Sequence, residues 1–211
     1  AYRPAYIFIE NVPGFQKLKK DSPLQEFRAM LDGMEEYFHK VEVIEAQGYG
    51  VPQLRRRLVL IASRIADIDF PKPTHGPSAN IDYSSVREWI SDLPKLAAGE
   101  THPDVLNHRA AQLSELNLER MRNTPPEADR RVWAEHLILE CHKKHKGHTD
   151  VYGRMKWDSP ASGLTTRCIS LSNGRYGHPE QNRAISVREA ACLQTFPRNF
   201  EFIGSLNSTN K

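Results

Sequence analysis

Tyr6-Ile7-Phe8-Ile9-Glu10-Asn11-Val12-Pro13-Gly14 is the stretch on which the fold turns. Tyr6 to Ile9 form an apolar run that reads as a buried strand, and Pro13-Gly14 forces a turn directly behind it. The run ends on a carboxylate. An α/β enzyme places an acid or base at such a strand end, facing a crevice. A glutamate there is also common as a merely solvated group. The rest of the chain decides between the two.

Working outward, Ser22-Pro23 with Gln25 supplies an N-cap, a proline in the first turn and a capping partner. Leu24, Phe27, Met30 and Leu31 follow at helical spacing, which predicts a helix from Ser22 to Gly33. Val41 to Ala46 alternates and reads as a strand, and Leu58 to Ala62 is a second, fully apolar one. Strand, helix, strand, strand in this order fits the back half of a mostly parallel sheet. Between the last two strands lies Tyr49-Gly50-Val51-Pro52-Gln53-Leu54-Arg55-Arg56-Arg57. Most charge runs are solvated turns. Here the arginines lead straight into a buried strand, where a guanidinium suits a carboxylate, a phosphate or a base carbonyl oxygen. One of them and Glu10 could face the same crevice.

With 211 residues, 39% of them hydrophobic, the chain can build one or two modest domains. Its 14 prolines and 12 glycines point to a loop-rich protein. A net charge of +3 is compatible with nucleic-acid binding without requiring it. The three cysteines, Cys141, Cys168 and Cys192, form no CxxC, which argues against a disulfide framework and for a reducing compartment. No apolar run reaches membrane-spanning length and no signal peptide is visible. The sequence reads as a soluble cytoplasmic protein whose two ends look like cuts inside a larger fold.

Further along, Pro-rich Phe70 to Pro77 reads as a connector. Ser85-x-x-Glu88 caps a helix through Trp89 and Ile90 that stops at Pro94. Leu113 to Met121 is another short helix, broken by Asn123-Thr124-Pro125-Pro126. His136, Cys141, His142, His145 and His148 raise the question of a metal, yet their spacing matches no standard four-ligand pattern. The interleaved Lys143, Lys144 and Lys146 favour phosphates instead. No metal is assigned, and the segment reads as a basic loop near nucleic acid. The later runs, Tyr152 to Trp157, Gly163 to Arg167 and Asn173 to Pro179, read as short strands joined by glycine turns.

Three blocks carry a family resemblance: Glu10-Asn11-Val12-x-Gly14, then Tyr49-Gly50-x-Pro52-Gln53-x-Arg55-x-Arg57, then Arg188-Glu189-x-Ala191-x-Leu193-Gln194-x-Phe196-Pro197. In that order they resemble the cytosine-5 DNA methyltransferases, of the bacterial restriction-modification type. The resemblance implies an α/β fold: the C-terminal half of a Rossmann-like, S-adenosylmethionine-dependent sheet over 1–66 and a smaller, loop-rich target-recognition domain over 67–180. A tail helix over 181–211 would return to the catalytic domain. It implies covalent chemistry, in which a cysteine thiolate adds to carbon 6 of a flipped cytosine and carbon 5 takes the methyl group. Glu10 would contact ring nitrogen 3 from a closed pocket that raises its pKa. Arg57, or in its place Arg55, would donate to the cytosine carbonyl oxygen or a flanking phosphate. Asn11 would fix the turn that aims Glu10. Thr165 and Thr166 become candidates for the target strand, with Arg154, Arg167 and Arg175 as phosphate or base contacts. Gln53 is a loop brace that also stands among the DNA-binding candidates, while Arg188 and Gln194 support the tail helix between the two domains.

The departures matter equally. The family's Gly-containing cofactor loop and its Pro-Cys dipeptide have no counterpart here, and no cysteine follows a proline. The expectation is therefore a part of a methyltransferase that is inactive alone. It would act on double-stranded DNA beside a missing N-terminal half, as a piece of a longer enzyme or one part of a split one, close to the nucleoid. A half-sheet is expected to dimerise or swap through its exposed face. Two alternatives remain: a non-catalytic DNA-binding or regulatory subunit, and the tRNA-methylating branch of the family.

Overall fold

Strand β1 (Tyr6–Asn11) alternates outward and inward side chains along its length. A computed structural model describes residues 2–17, 22–144, 147 and 150–204. In it β1 is followed by helix α1 (Pro23–Asp32), β2 (Phe38–Glu45) and β3 (Arg56–Ser63). The chain divides into two units. One holds the residues up to Tyr49 together with Arg55–Ile81, the other Gly50–Leu54 and the residues from Asp82 onward.

In the first unit α1 keeps the predicted bounds. Ser22 Oγ accepts from Gln25 N, and Gly33 closes the helix by donating to Ala29 and Leu31 carbonyls. Its Leu24 and Leu31 pack with Tyr37 on Leu58, Leu60 and Ala62 of β3, and Ile7, Ile9, Val41 and Val43 complete that face. Burying each such aliphatic side chain contributes roughly 1.5–3 kcal/mol.

The sheet order is β1-β3-β2, and both pairings are antiparallel. This corrects the parallel arrangement read from the sequence. β1 and β2 do run in the same direction, joined over α1, but they are not neighbours. The link from β2 to β3, residues 46–55, is too short for the helical crossover that a parallel neighbour needs. β3 therefore turns back and fills the gap between the other two.

The second unit has little regular structure: α2 (Val86–Ile90), α3 (Glu115–Arg122), α4 (Glu140–Lys144) and α5 (Val187–Leu193). The predicted Ser85–Glu88 capping box is present on α2, and Ser186–Glu189 forms a second one on α5. One core gathers Val86, Ile90, Met155, Tyr176, Ile185 and Leu193; another gathers Met121, Trp133, Leu137, Tyr152 and Leu171. With few ladders available, buried guanidinium groups satisfy the loop carbonyls instead. Among the described residues, no helix is long and apolar enough to cross a membrane.

Candidate functional site

The first unit brings Glu10 and Arg57 together at the ends of β1 and β3. Arg57 Nε donates to Glu10 Oε1 at 2.5 Å, with the two side chains 25% and 46% exposed. Arg57 Nη1 also donates to its neighbour's carbonyl, Arg56 O, at 2.8 Å. Arg55 shares their field: burial lowers its pKa first, Arg57 lowers it further and Glu10 raises it in part. Asn11 Oδ1 accepts from Val12 N at 2.8 Å, which ties the turn behind the strand. Glu10 thus stands half-exposed in an ion pair, not in the closed pocket expected from sequence. A carboxyl beside a guanidinium offers an acceptor and a planar donor to one edge of a flat heterocycle.

Sequence reasoning missed the brace behind this pair. Gln47 is buried; its Oε1 accepts from Arg55 N at 3.3 Å and its Nε2 donates to Glu45 Oε2 at 3.0 Å. A glutamine inside a short turn carries no distinctive spacing, so nothing in the sequence marks it.

In the second unit three of the expected DNA contacts turn inward. Gln53 is 1% exposed; its Oε1 accepts from Leu164 N at 2.9 Å and its Nε2 donates to Leu193 O at 3.4 Å. It braces loops and reaches no solvent. Arg154 is equally buried and spends its five N–H donors on Thr124, Met121, His178 and Gln181 carbonyls and on Asn182 Oδ1. Arg175 Nη1 donates to the carbonyls of Glu127, Ala128 and Arg154, and its Nη2 to Asp129 Oδ2 at 2.8 Å. Hydrogen bonds from Arg131, then Arg175, hold the Asp129 carboxyl at about 2 against the opposing cost of burial. Arg154 and Arg175 are bound to the fold itself, because a loop-built unit leaves carbonyls that need strong donors.

Thr165, Thr166 and Arg167, by contrast, are exposed on one turn. Arg188 is fully buried and donates to Leu106, Pro197 and Phe200 carbonyls, while Gln194 caps α5 through its backbone N–H. The other buried cluster is Arg183, Glu189 and His178. Arg183 grips both oxygens of Glu189 at 2.7 Å, and Glu189 Oε2 accepts from Ser186 N. Burial, with Arg183 and Arg154 nearby, pushes His178 down to about 4 against the pull of Glu189.

The cysteines are distributed unhelpfully for nucleophilic chemistry. Burial raises the Cys168 thiol to about 11 and raises Cys192 as well, and Cys141 sits exposed on α4. Of the histidine group weighed for a metal, His145 and His148 lie outside the described residues. His136 pairs with Glu119 at 3.5 Å and His142 packs edge-on to Tyr152.

Comparison with known proteins bears on this arrangement. The family model for C-5 cytosine-specific DNA methylases matches residues 1–211. The Type II methylase M.HgiDII of Herpetosiphon aurantiacus is 41% identical over 94% of this chain and 56% of its own length. The Type II methyltransferase M1.HphI of Haemophilus parahaemolyticus is 33% identical over 96% of this chain and 50% of its own. The chain therefore spans about half the length of the curated relatives it matches. Among solved structures, a DNA modification methyltransferase encoded within an E. coli prophage shares the fold, with a TM-score of 0.63 at 18% identity over 94% of this chain and 61% of that one.

Proposed function

The chain belongs to the C-5 cytosine-specific DNA methylase family, and from that premise we propose that it supplies the base-holding side of a methyl transfer to carbon 5 of cytosine in duplex DNA. The observation that carries this reading is the Glu10–Arg57 ion pair, which joins two separate sequence blocks at one strand end. The target cytosine leaves the stack, since its reacting atoms are shielded inside the duplex. Glu10 then shares a proton with ring nitrogen 3, which draws electrons from the ring and opens carbon 6 to a nucleophile. Entry of the base displaces water from the half-exposed carboxyl and brings it against the ring edge. Arg57 donates to the carbonyl oxygen, where negative charge grows, and Arg55 adds to the same positive field.

S-adenosylmethionine, when bound to an enzyme of this kind, supplies the methyl group. The residues at this strand end do not fit it. Arg57 pairs with the one carboxylate and Arg55 adds its positive charge to the same field, and a net positive site repels a sulfonium. No side chain of this chain is assigned to that cofactor. The attacking thiolate is likewise not assigned to this chain: burial raises the pKa of Cys168 and Cys192 and holds them as thiols, while the exposed Cys141 follows Glu140 and lacks the Pro-Cys context of the family's nucleophile. Alone, the chain transfers no methyl groups and retains duplex DNA through its second unit, which acts as the target-recognition part. The exposed face of the sheet, with Phe8, Tyr6 and Phe38, is the surface through which it associates with a covering half or with itself.

The test is transfer of labelled methyl to duplex DNA by a mixture of this chain with a polypeptide carrying the family's cofactor loop and Pro-Cys block. Transfer only in the mixture supports the reading. Transfer by the purified chain alone contradicts it.

A further inference from the structure

The turn that presents Thr165, Thr166 and Arg167 is held at two points by buried residues, Gln53 and Tyr176. From one side Gln53 Oε1 accepts from Leu164 N, while Leu54 N donates to Ala161 O and Ala161 N to Pro52 O. The chains approach so closely there that a Cβ on Gly163 would lie 2.9 Å from Leu54 O. From the other side the buried Tyr176 hydroxyl donates to Gly163 O at 3.0 Å and accepts from Thr165 N at 3.2 Å. The Thr165 hydroxyl lies 3.0 Å from the same oxygen. Gly174 lets the Tyr176 ring in, since a Cβ there would meet it at 2.7 Å.

Beyond this clamp the backbone is strained. Arg167 has φ +63°, a left-handed conformation that a non-glycine residue enters at a cost of about 1–2 kcal/mol. It is kept there because its carbonyl accepts from Ser170 N at 2.9 Å and Cys168 beside it is buried. The Arg167 side chain is exposed and makes no hydrogen bond or ion pair among the described residues. Every other arginine of the set expected to touch DNA is tied into the fold. A fold that over-determines a strained turn and leaves its guanidinium unengaged has preorganised that group for an external anion.

We propose that Tyr176 and Gln53 are positioning residues that hold the Thr165–Arg167 turn ready for a phosphate of duplex DNA, with Arg167 as the charged contact and the Thr166 hydroxyl beside it. This rests on the DNA-binding reading above. Neither Tyr176 nor Gln53 touches the nucleic acid; both act through the turn. Ordering cost is met on folding, so the contact gains affinity without a new bond to DNA.

The experiment is a double-mutant cycle on the full chain, reading binding to a labelled DNA duplex across a salt series. Arg167→Ala should weaken binding and reduce the slope of log affinity against log salt by about 1, the signature of one lost phosphate contact. Tyr176→Phe keeps the ring in its core and removes only the hydroxyl. It should weaken binding several-fold in the parent, have no further effect in the Arg167→Ala background, and speed hydrogen exchange over residues 163–168. A Tyr176 that merely packs the core would lower the unfolding midpoint and leave the salt slope untouched. Additive effects, or an unchanged slope in Arg167→Ala, would overturn the proposal while leaving the DNA-binding reading intact. A parent chain that retains no duplex, or retains RNA in its place, would overturn both.

Discussion

Arg57 Nε donates to Glu10 Oε1 at 2.5 Å across the antiparallel pairing of β1 with β3. Glu10 stands opposite Val59, and Arg57 lies two residues from Val59, so the two are diagonal neighbours on one sheet face. Half-exposed ion pairs add little to stability. Glu10→Gln and Arg57→Gln should each change the unfolding free energy by less than about 1 kcal/mol in urea titrations. A larger loss would assign the pair to structure and remove it from the chemistry.

The buried His178 makes the chain sensitive to mild acid. Its pKa falls from 6.5 to about 4, chiefly through burial. Between those values the unfolded chain takes a proton that the folded one refuses, so stability drops as pH falls through that window and is unaffected above it. The expected loss between pH 7 and pH 5 is about 2 kcal/mol. Glu189 acts lower. Burial raises its pKa, but Arg183 and His178 outweigh that and lower it overall, so its contribution is present above 4.5 and lost as pH falls through the folded value. His178→Asn retains an acceptor for Glu180 N and Gln181 N and should flatten the pH 7 to 5 slope in urea titrations at each pH.

Arg154 and Arg167 should behave oppositely. Arg154→Lys cannot reproduce five bonds in a fixed plane and should cost about 3 kcal/mol of stability. Arg167→Ala should leave the unfolding free energy within about 0.5 kcal/mol of the parent. Paired thermal melts check both, and an indifferent Arg154→Lys would refute the buried role.

Phe8 is 69% exposed on the sheet face opposite α1, in line with Tyr6. The purified chain should associate more strongly as concentration rises, and Phe8→Lys should weaken that association. Sedimentation velocity over a concentration series gives the answer. A concentration-independent monomer would exclude this face as a contact.

What the sequence could show follows from what each signal encodes. Ser22, Pro23 and Gly33 mark both ends of α1 because caps are local chemistry, and Ser85 with Glu88 does the same for α2. The partner and direction of β3 were not legible, since alternation fixes a strand's faces but not its neighbours. Glu10 and Arg57 were identified from strand ends and a resemblance, and the structure brings them together. The brace role of Gln53 is legible in the sequence and is what the structure shows, whereas Gln47, Tyr176 and the inward turn of Arg154 and Arg175 are not. An arginine's default place is the surface, and only the loops folded around these residues create the carbonyls they serve.

The most direct measurement is labelled methyl transfer to duplex DNA by the two-part mixture, with parent chain and with Glu10→Gln, alongside urea titrations of each. The account predicts transfer with the parent chain and a loss of 10²-fold or more, on the order of a general acid's contribution, with a Glu10→Gln chain that remains folded. Undiminished transfer with Glu10→Gln would contradict it.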